Sequence, residues 1–180
     1  MAMAITVSFL IGSIPTGYLA GYIWARRDPR RVGSGNVGGM NVLRNIGIVP
    51  GICTILLDIG KGVLAAVLSR GLCGGPTAWV ALPACVAGHN WMPWLGFRGG
   101  KGLAVSGGAL MVLHFGAAAV VFPLLGALTL ALRNVDLASL LSFSLLPFLL
   151  KAWRMDWGVV LAAALVPIEY LLRTIPGKKE

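Results

Sequence analysis

Acidic side chains are scarce in this sequence: six Asp and Glu stand against fifteen Lys and Arg in 180 residues, and charged residues of both signs make up only 12%. So few charges cannot clothe a water-soluble domain of this length. With 57% hydrophobic residues, the chain reads as a polytopic membrane protein. The excess of cations is then a topological bias and not a nucleic-acid surface, because the cations cluster beside apolar runs. Cysteine is also sparse. Cys53, Cys73 and Cys85 lie in or beside apolar runs without paired spacing, which excludes a disulfide framework and a metal site. No basic region precedes the first apolar run, and that run passes directly into Arg26-Arg27. It reads as a retained span and not as a cleaved signal. No internal repeat is visible.

The apolar runs predict an all-α fold, a single transmembrane domain over residues 1–180 with about seven membrane helices. The first span, 1–25, is interrupted by Gly12-Ser13-Ile14-Pro15, where the proline frees a backbone carbonyl and bends the helix. Residues 26–47 are the longest polar segment. A span over 48–70 carries Asp58 and Lys61, and one over 76–95 ends in Gly88-His89-Asn90-Trp91. Residues 101–132 are too long for one span and divide near His114-Phe115-Gly116 into a fourth helix of roughly 21 Å and a fifth. Spans over 137–153 and 157–173 follow, then a polar tail, Thr174–Glu180. With the N-terminus outside, the inner segments hold Arg26, Arg27, Arg30, Arg31, Arg44, Arg98, Lys101, Arg133, Arg173, Lys178 and Lys179, and the outer ones only Arg70, Lys151 and Arg154. This asymmetry predicts a cytoplasmic C-terminus. Trp79, Trp91, Trp94, Trp153 and Trp157 fall near span ends, as interfacial anchors do.

Two glycine-rich loops then share the inner face. One runs Gly33-Ser34-Gly35-Asn36-Val37-Gly38-Gly39-Met40-Asn41-Val42-Leu43-Arg44-Asn45. Its literal G-x-G-x-x-G follows a membrane span and not a β-strand, so a dinucleotide fold is rejected. What remains is local: small residues that expose N–H groups, Ser34 and Asn36 as neutral donors, and Arg44 as a fork for phosphate. The other loop is Gly96-Phe97-Arg98-Gly99-Gly100-Lys101-Gly102. Glycines let N–H groups approach a ligand, and Lys101 at the mouth of the next helix adds a point charge beside that helix's positive end. Leu95 and Gly102 stand where a Walker A loop needs Gly and Ser or Thr, which argues against an ATPase or GTPase. Asp58 and Lys61, three apart on one helix, form either a buried pair that fixes packing or part of a site. His89 is either structural or a phosphate donor or general base. Neither histidine begins an H-x-x-x-x-D motif: the fifth residues on are Trp94 and Ala119.

In order and spacing, these pieces resemble the bacterial acyl-phosphate:glycerol-3-phosphate acyltransferases. The resemblance covers residues 12–104. It runs through Gly12-Ser13-Ile14-Pro15, Asp28-Pro29-Arg30, Gly33-Ser34-Gly35-Asn36 and Asn41-Val42-Leu43-Arg44. Asp58 with Lys61-Gly62, Gly88-His89 and Gly96-Phe97 with Gly99-Gly100-Lys101-Gly102 complete it. It implies a seven-helix enzyme of the bacterial inner membrane, with its site facing the cytoplasm. Such an enzyme moves an acyl group from acyl phosphate to the 1-hydroxyl of glycerol 3-phosphate, without cofactor, metal or nucleic-acid partner, among membrane lipid. Ser34, Asn36 and Lys101 would be catalytic. Gly35, Gly38, Asn41, Arg44, His89, Gly99, Gly100, Gly102, Arg133 and Ser139 would bind substrate, Arg44 taking the acceptor phosphate. Ser13, Pro15, Asp58 and Lys61 would support them.

The chain also departs from the family pattern. Met40 replaces a threonine, and Pro93 stands four residues after His89 where three is usual. Asp136 occupies a position expected to carry a hydroxyl, and the C-terminal His-Arg-x-Asn element expected near 174–177 is absent. Most of these changes lie on the presumed acceptor side. They leave open the same donor with another acceptor, phosphate-free or amine-bearing. A phosphate-lipid transporter or flippase and an inactive partner subunit are rival classes. The lack of repeats and the concentration of polar groups at one face argue against the first, and the presence of Ser34, Asn36 and Lys101 against the second.

Overall fold

The first apolar run does not continue as one helix. In the computed structural model, which describes residues 1–174, α1 (Ala2–Gly12) stops at Ser13 and α2 (Thr16–Ala25) restarts after Pro15. Pro15 has no N–H to donate, so the helical ladder breaks there. The Ser13 hydroxyl turns back to donate to Leu10 O at 2.8 Å. Further on, α3 (Gly39–Asn45) lies on α4 (Ile48–Cys73), and both partners need glycine at the contact. A Cβ at Gly51 would meet the Leu43 backbone at 2.4 Å, and one at Gly39 would meet the Ile55 side chain at 2.3 Å.

The expected helix over 76–95 is shorter than its apolar run. A 3₁₀ turn, Gly75–Val80, leads into α5 (Ala81–Asn90), and the chain then turns through Pro93–Leu95 before α6 (Leu103–Leu113). Pro93 and the glycines after it cannot prolong a helix. The 10 residues of α5 and 11 of α6 reach only about 15–17 Å at 1.5 Å per residue, about half a hydrocarbon core. α7 (Phe115–Leu132), α8 (Val135–Ala152) and α9 (Trp157–Thr174) complete the order, and the described residues contain no strand. Among the described residues, five segments are long and apolar enough to cross a membrane: α1 with α2, α4, α7, α8 and α9. The division of 101–132 falls at His114, which caps α7 by accepting the Ala117 N–H on Nδ1 at 3.1 Å and stacks on Trp153 at 4.9 Å.

Small residues bring backbones together, as in membrane bundles generally. A Cβ at Gly12 would lie 2.0 Å from Cys85 O and one at Gly88 2.1 Å from Phe9 O, which locks α1 to α5. Gly62 and Gly108 do the same for α4 and α6, where an added Cβ would lie 2.0 Å from Val105 O and from Ile59 O respectively. The largest apolar core joins Leu82, Leu110, Phe143, Leu146, Leu150 and Val159. Trp79 belongs to this core and is only 3% exposed, so it packs inside the bundle and is not an interfacial anchor. Leu56 and Leu57 of α4, Phe148 of α8 and Leu161 and Leu172 of α9 point outward, as a lipid-facing surface requires.

Candidate active site

The polar segment 26–47 folds around one side chain. Asn41 is buried; its amide NH₂ lies within hydrogen-bond distance of Pro29 O, Val32 O and Asn36 O. Its Oδ1 accepts from the Ser34 N–H at 3.0 Å and from Asn45 Nδ2 at 2.9 Å. Gly33 makes this possible: at φ +55°, a Cβ there would strike Asn45 Nδ2 at 2.2 Å. Upstream, Arg30 grips both oxygens of Asp28, the shortest contact being 2.8 Å, and lies over Tyr18. That hydrogen bond to Arg30 holds the Asp28 carboxyl below its ordinary range and raises the guanidinium of Arg30 in turn. Asn36 Oδ1 accepts the Gly38 N–H at 2.8 Å, which leaves its NH₂ to a ligand. The Ser34 hydroxyl and the Arg44 guanidinium have no partner among the described residues.

Behind this loop a charged cluster is sealed into the bundle. Asp58 Oδ1 accepts from Thr16 Oγ1 at 2.6 Å and faces Lys61 Nζ at 2.9 Å, with both ionic side chains under 7% exposed. Lys61 also donates to Ile14 O at 2.9 Å and Gly12 O at 3.2 Å, the carbonyls that the break at Pro15 leaves without a helical donor. The broken helix and the intramembrane lysine are thus one device. Lys61 Nζ lies 3.3 Å from His89 Nδ1. His89 Nδ1 also stands 3.6 Å from Asp58 Oδ1. Of this pair, Lys61 contacts the helix break and stands outside the cavity lining. Asp58 reaches further and lines the cavity described below.

The glycine loop differs from its expectation. The Gly99 and Gly100 N–H groups donate to Asn90 O at 3.1 Å and His89 O at 2.9 Å. Their carbonyls accept from Arg173, at 2.7 Å from Nη2 for Gly99 and 3.1 Å from Nε for Gly100. These glycines therefore do not present N–H groups to an anion. They are small because the end of α5 lies against them: a Cβ at Gly100 would meet His89 Nε2 at 2.0 Å. Backbone that does line the cavity lies one step later, at Gly102 (φ +83°) and the first turn of α6. There Leu103 and Ala104 carry N–H groups without intrahelical partners.

These parts enclose one cavity of about 350 Å³. Ser34, Asn36, Gly38, Asn41 and Arg44 line it from the first loop, Asp58 and His89 from behind, and Lys101, Gly102, Leu103 and Ala104 from the second. Val135 and Asp136 at the start of α8 close the remaining side. Lys101 Nζ stands 2.6 Å from Asp136 Oδ1, which also accepts from Tyr170 OH at 2.8 Å.

Other expected site residues stand outside the lining. Ser139 is fully buried, with its hydroxyl donated to Val135 O. Arg133 is exposed in a left-handed turn at the end of α7. Gly35, at φ +70°, serves a turn in which its N–H bonds Val32 O. Ser13, Pro15 and Lys61 belong to the helix break. Sequence reasoning missed Thr16, Tyr170 and Arg173 because each acts across a long sequence separation. Only Arg173, a cation at the end of an apolar run, left a signal. The expected C-terminal element near 174–177 lies mostly outside the described residues.

Comparison with known proteins gives consistent matches. Residues 2–174 match the family model described as glycerol-3-phosphate acyltransferase. Glycerol-3-phosphate acyltransferase 1 of Moorella thermoacetica is 44% identical over 163 residues, which cover 89% of this chain and 82% of the relative. Glycerol-3-phosphate acyltransferase of Synechococcus sp. is 40% identical over 180 residues, covering 97% and 82%. Among solved structures, PlsY (YgiH), an integral membrane glycerol 3-phosphate acyltransferase, superposes in its glycerol 3-phosphate form with a TM-score of 0.87 at 28% identity, covering 96% of this chain and 86% of that one. Its lysophosphatidic acid form gives 0.84 at 26% with the same coverage.

Proposed function

Because this chain belongs to the glycerol-3-phosphate acyltransferase family, we propose that its cavity holds two phosphate-bearing substrates side by side. It transfers an acyl group from acyl phosphate to the 1-hydroxyl of glycerol 3-phosphate, giving lysophosphatidic acid and inorganic phosphate. The observation that carries this reading is convergence. Two loops far apart in sequence bring Ser34, Asn36, Arg44, Lys101 and the N-terminus of α6 to one cavity.

Acyl phosphate is a mixed anhydride and already activated, so the site mainly positions and stabilises. The acceptor oxygen attacks the acyl carbon, the bond from that carbon to the phosphate oxygen breaks, and the hydroxyl proton passes to the departing phosphate. Lys101 and the α6 N–H groups take the charge that develops on that phosphate. Ser34 and Asn36 orient the acyl phosphate, and Arg44 binds the acceptor phosphate. Asn41, His89, Gly99 and Gly100 hold the loops in shape. Arg133 and Ser139 have no contact in this reading.

The amine that Asp136 invites is Lys101's own, which removes the reason to seek an amine-bearing acceptor. In this reading α5 and α6 with their flanking turns complete seven crossings, and the N-terminus is outside. The loops of 26–47 and 96–102 then open to the bacterial cytoplasm, where glycerol 3-phosphate is soluble.

Purified protein is given palmitoyl phosphate with and without glycerol 3-phosphate, and palmitoyl-CoA as an alternative donor. The reading predicts lysophosphatidic acid and phosphate in equal amounts only from palmitoyl phosphate plus glycerol 3-phosphate, and loss of both in Lys101→Ala. Acyl transfer from palmitoyl-CoA, or phosphate release that ignores glycerol 3-phosphate, overturns it.

A further inference from the structure

In the structure the lysine assigned to the phosphate already has an anion. Lys101 Nζ sits 2.6 Å from Asp136 Oδ1, and both side chains are about one-third exposed to the cavity. Three features hold Asp136 there. It occupies the first turn of α8, where the helix dipole favours an acid. The Asn134 cap fixes that turn by accepting the Asp136 and Leu137 N–H groups at 3.0 and 3.1 Å. From behind, Tyr170 of α9 donates to the same Oδ1 at 2.8 Å. Lys101 immediately precedes Gly102, the N-cap of α6, so without Asp136 its ammonium would sit uncompensated beside a second positive helix end.

We infer that Asp136 is the resident counter-ion of Lys101, a positioning residue that incoming phosphate displaces and that reclaims the ammonium when phosphate leaves. The inference rests on the phosphate-transfer reading above. One ammonium cannot satisfy a carboxylate and a phosphate at full strength, and the two anions repel each other across it. Asp136 therefore weakens phosphate binding and speeds product release. A hydroxyl at this position would help to hold phosphate; the carboxylate trades that grip for turnover. Tyr170 keeps the displaced carboxylate from swinging into the acceptor's place.

The test compares wild type with Asp136→Asn, which keeps the shape and removes the charge, and with Asp136→Ser. The readouts are KM for palmitoyl phosphate, KM for glycerol 3-phosphate, kcat, and inhibition by inorganic phosphate. Both variants are expected to lower the inhibition constant of inorganic phosphate and the KM for palmitoyl phosphate by about two- to fivefold, the range for a partly exposed ion pair. kcat should fall as product release slows, and KM should become more sensitive to salt. Asp136→Glu restores the wild-type pattern in part, which a merely structural role would not require.

If the inhibition constant and KM are unchanged in both variants, or if they rise, the inference is overturned; a rise limited to glycerol 3-phosphate would make Asp136 a ligand of the acceptor. Failure of the underlying reading shows separately, as absence of transfer in wild type.

Discussion

Replacing Lys61 by Met keeps the length of the side chain and removes its ammonium. The structure assigns three losses to that change. Asp58, 2% exposed, loses its cationic partner at 2.9 Å, and breaking a buried pair from one side costs about 3–5 kcal/mol. Gly12 O loses its donor and, as a buried orphan, adds about 1 kcal/mol or more, while Ile14 O loses the ammonium but keeps the Thr16 N–H at 2.9 Å. Together these come to about 4–6 kcal/mol, comparable with the whole stability of many domains. Asp58→Asn should be milder, because Asn still accepts from Thr16 and Lys61 keeps both carbonyls. In the double variant the charge penalty is relieved but Gly12 O remains orphaned, so its stability should fall between the two single variants. Cys85 supplies the assay. It is fully buried, with Sγ 3.8 Å from Lys61 O, so a thiol-reactive dye reports opening of this region during heating, in a background with Cys53 and Cys73 replaced. Lys61→Met should unfold at the lowest temperature, the double variant next and Asp58→Asn after it. Equal losses in the two single variants, or a larger loss in Asp58→Asn, would refute the claim that Lys61 serves the broken helix as well as the carboxylate.

Three further outcomes follow from particular contacts. Gly100→Ala places a Cβ against His89 Nε2 and displaces Lys101 with the loop; turnover should drop by about a hundredfold, as for an ångström-scale misplacement, while the thermal midpoint moves little. His114→Ala removes a helix cap and the stack on Trp153; it should lower stability by about 1 kcal/mol and leave KM for both substrates unchanged. Asp28 has a folded pKa below its ordinary value because Arg30 bonds it. Its contribution is therefore present above the ordinary carboxylate range and lost as pH falls through the lowered folded value. Hydrogen exchange of the 33–41 amides should stay slow through roughly pH 4 and rise only below it. In Asp28→Asn it should be fast at every pH.

Much of this was legible in the sequence because its signals are local. Pro15 broke the first helix, the apolar runs located the long spans, and the two glycine loops share one cavity. What escaped was tertiary. A glycine that opens its N–H to a ligand and one that admits a neighbouring histidine look alike in sequence, so Gly99 and Gly100 were assigned to substrate when they pack on α5 and accept from Arg173. Asp136 stood out as an acid in an unexpected place. Its partner, Lys101, lies 35 residues away, and only folding brings them together. Trp79 had the position of an anchor, but the face of the turn that carries it points inward.

The central claim is that the cavity between the two loops is the glycerol 3-phosphate site and opens to the cytoplasm. Met40 lines it and is 49% exposed, so Met40→Cys, with the three native cysteines replaced, places one thiol there. Labelling by a membrane-impermeant maleimide is measured in inverted and in right-side-out vesicles, with and without glycerol 3-phosphate. The account predicts labelling in inverted vesicles alone, and protection there by glycerol 3-phosphate. Labelling from the outside, or labelling that glycerol 3-phosphate leaves unchanged, would contradict it.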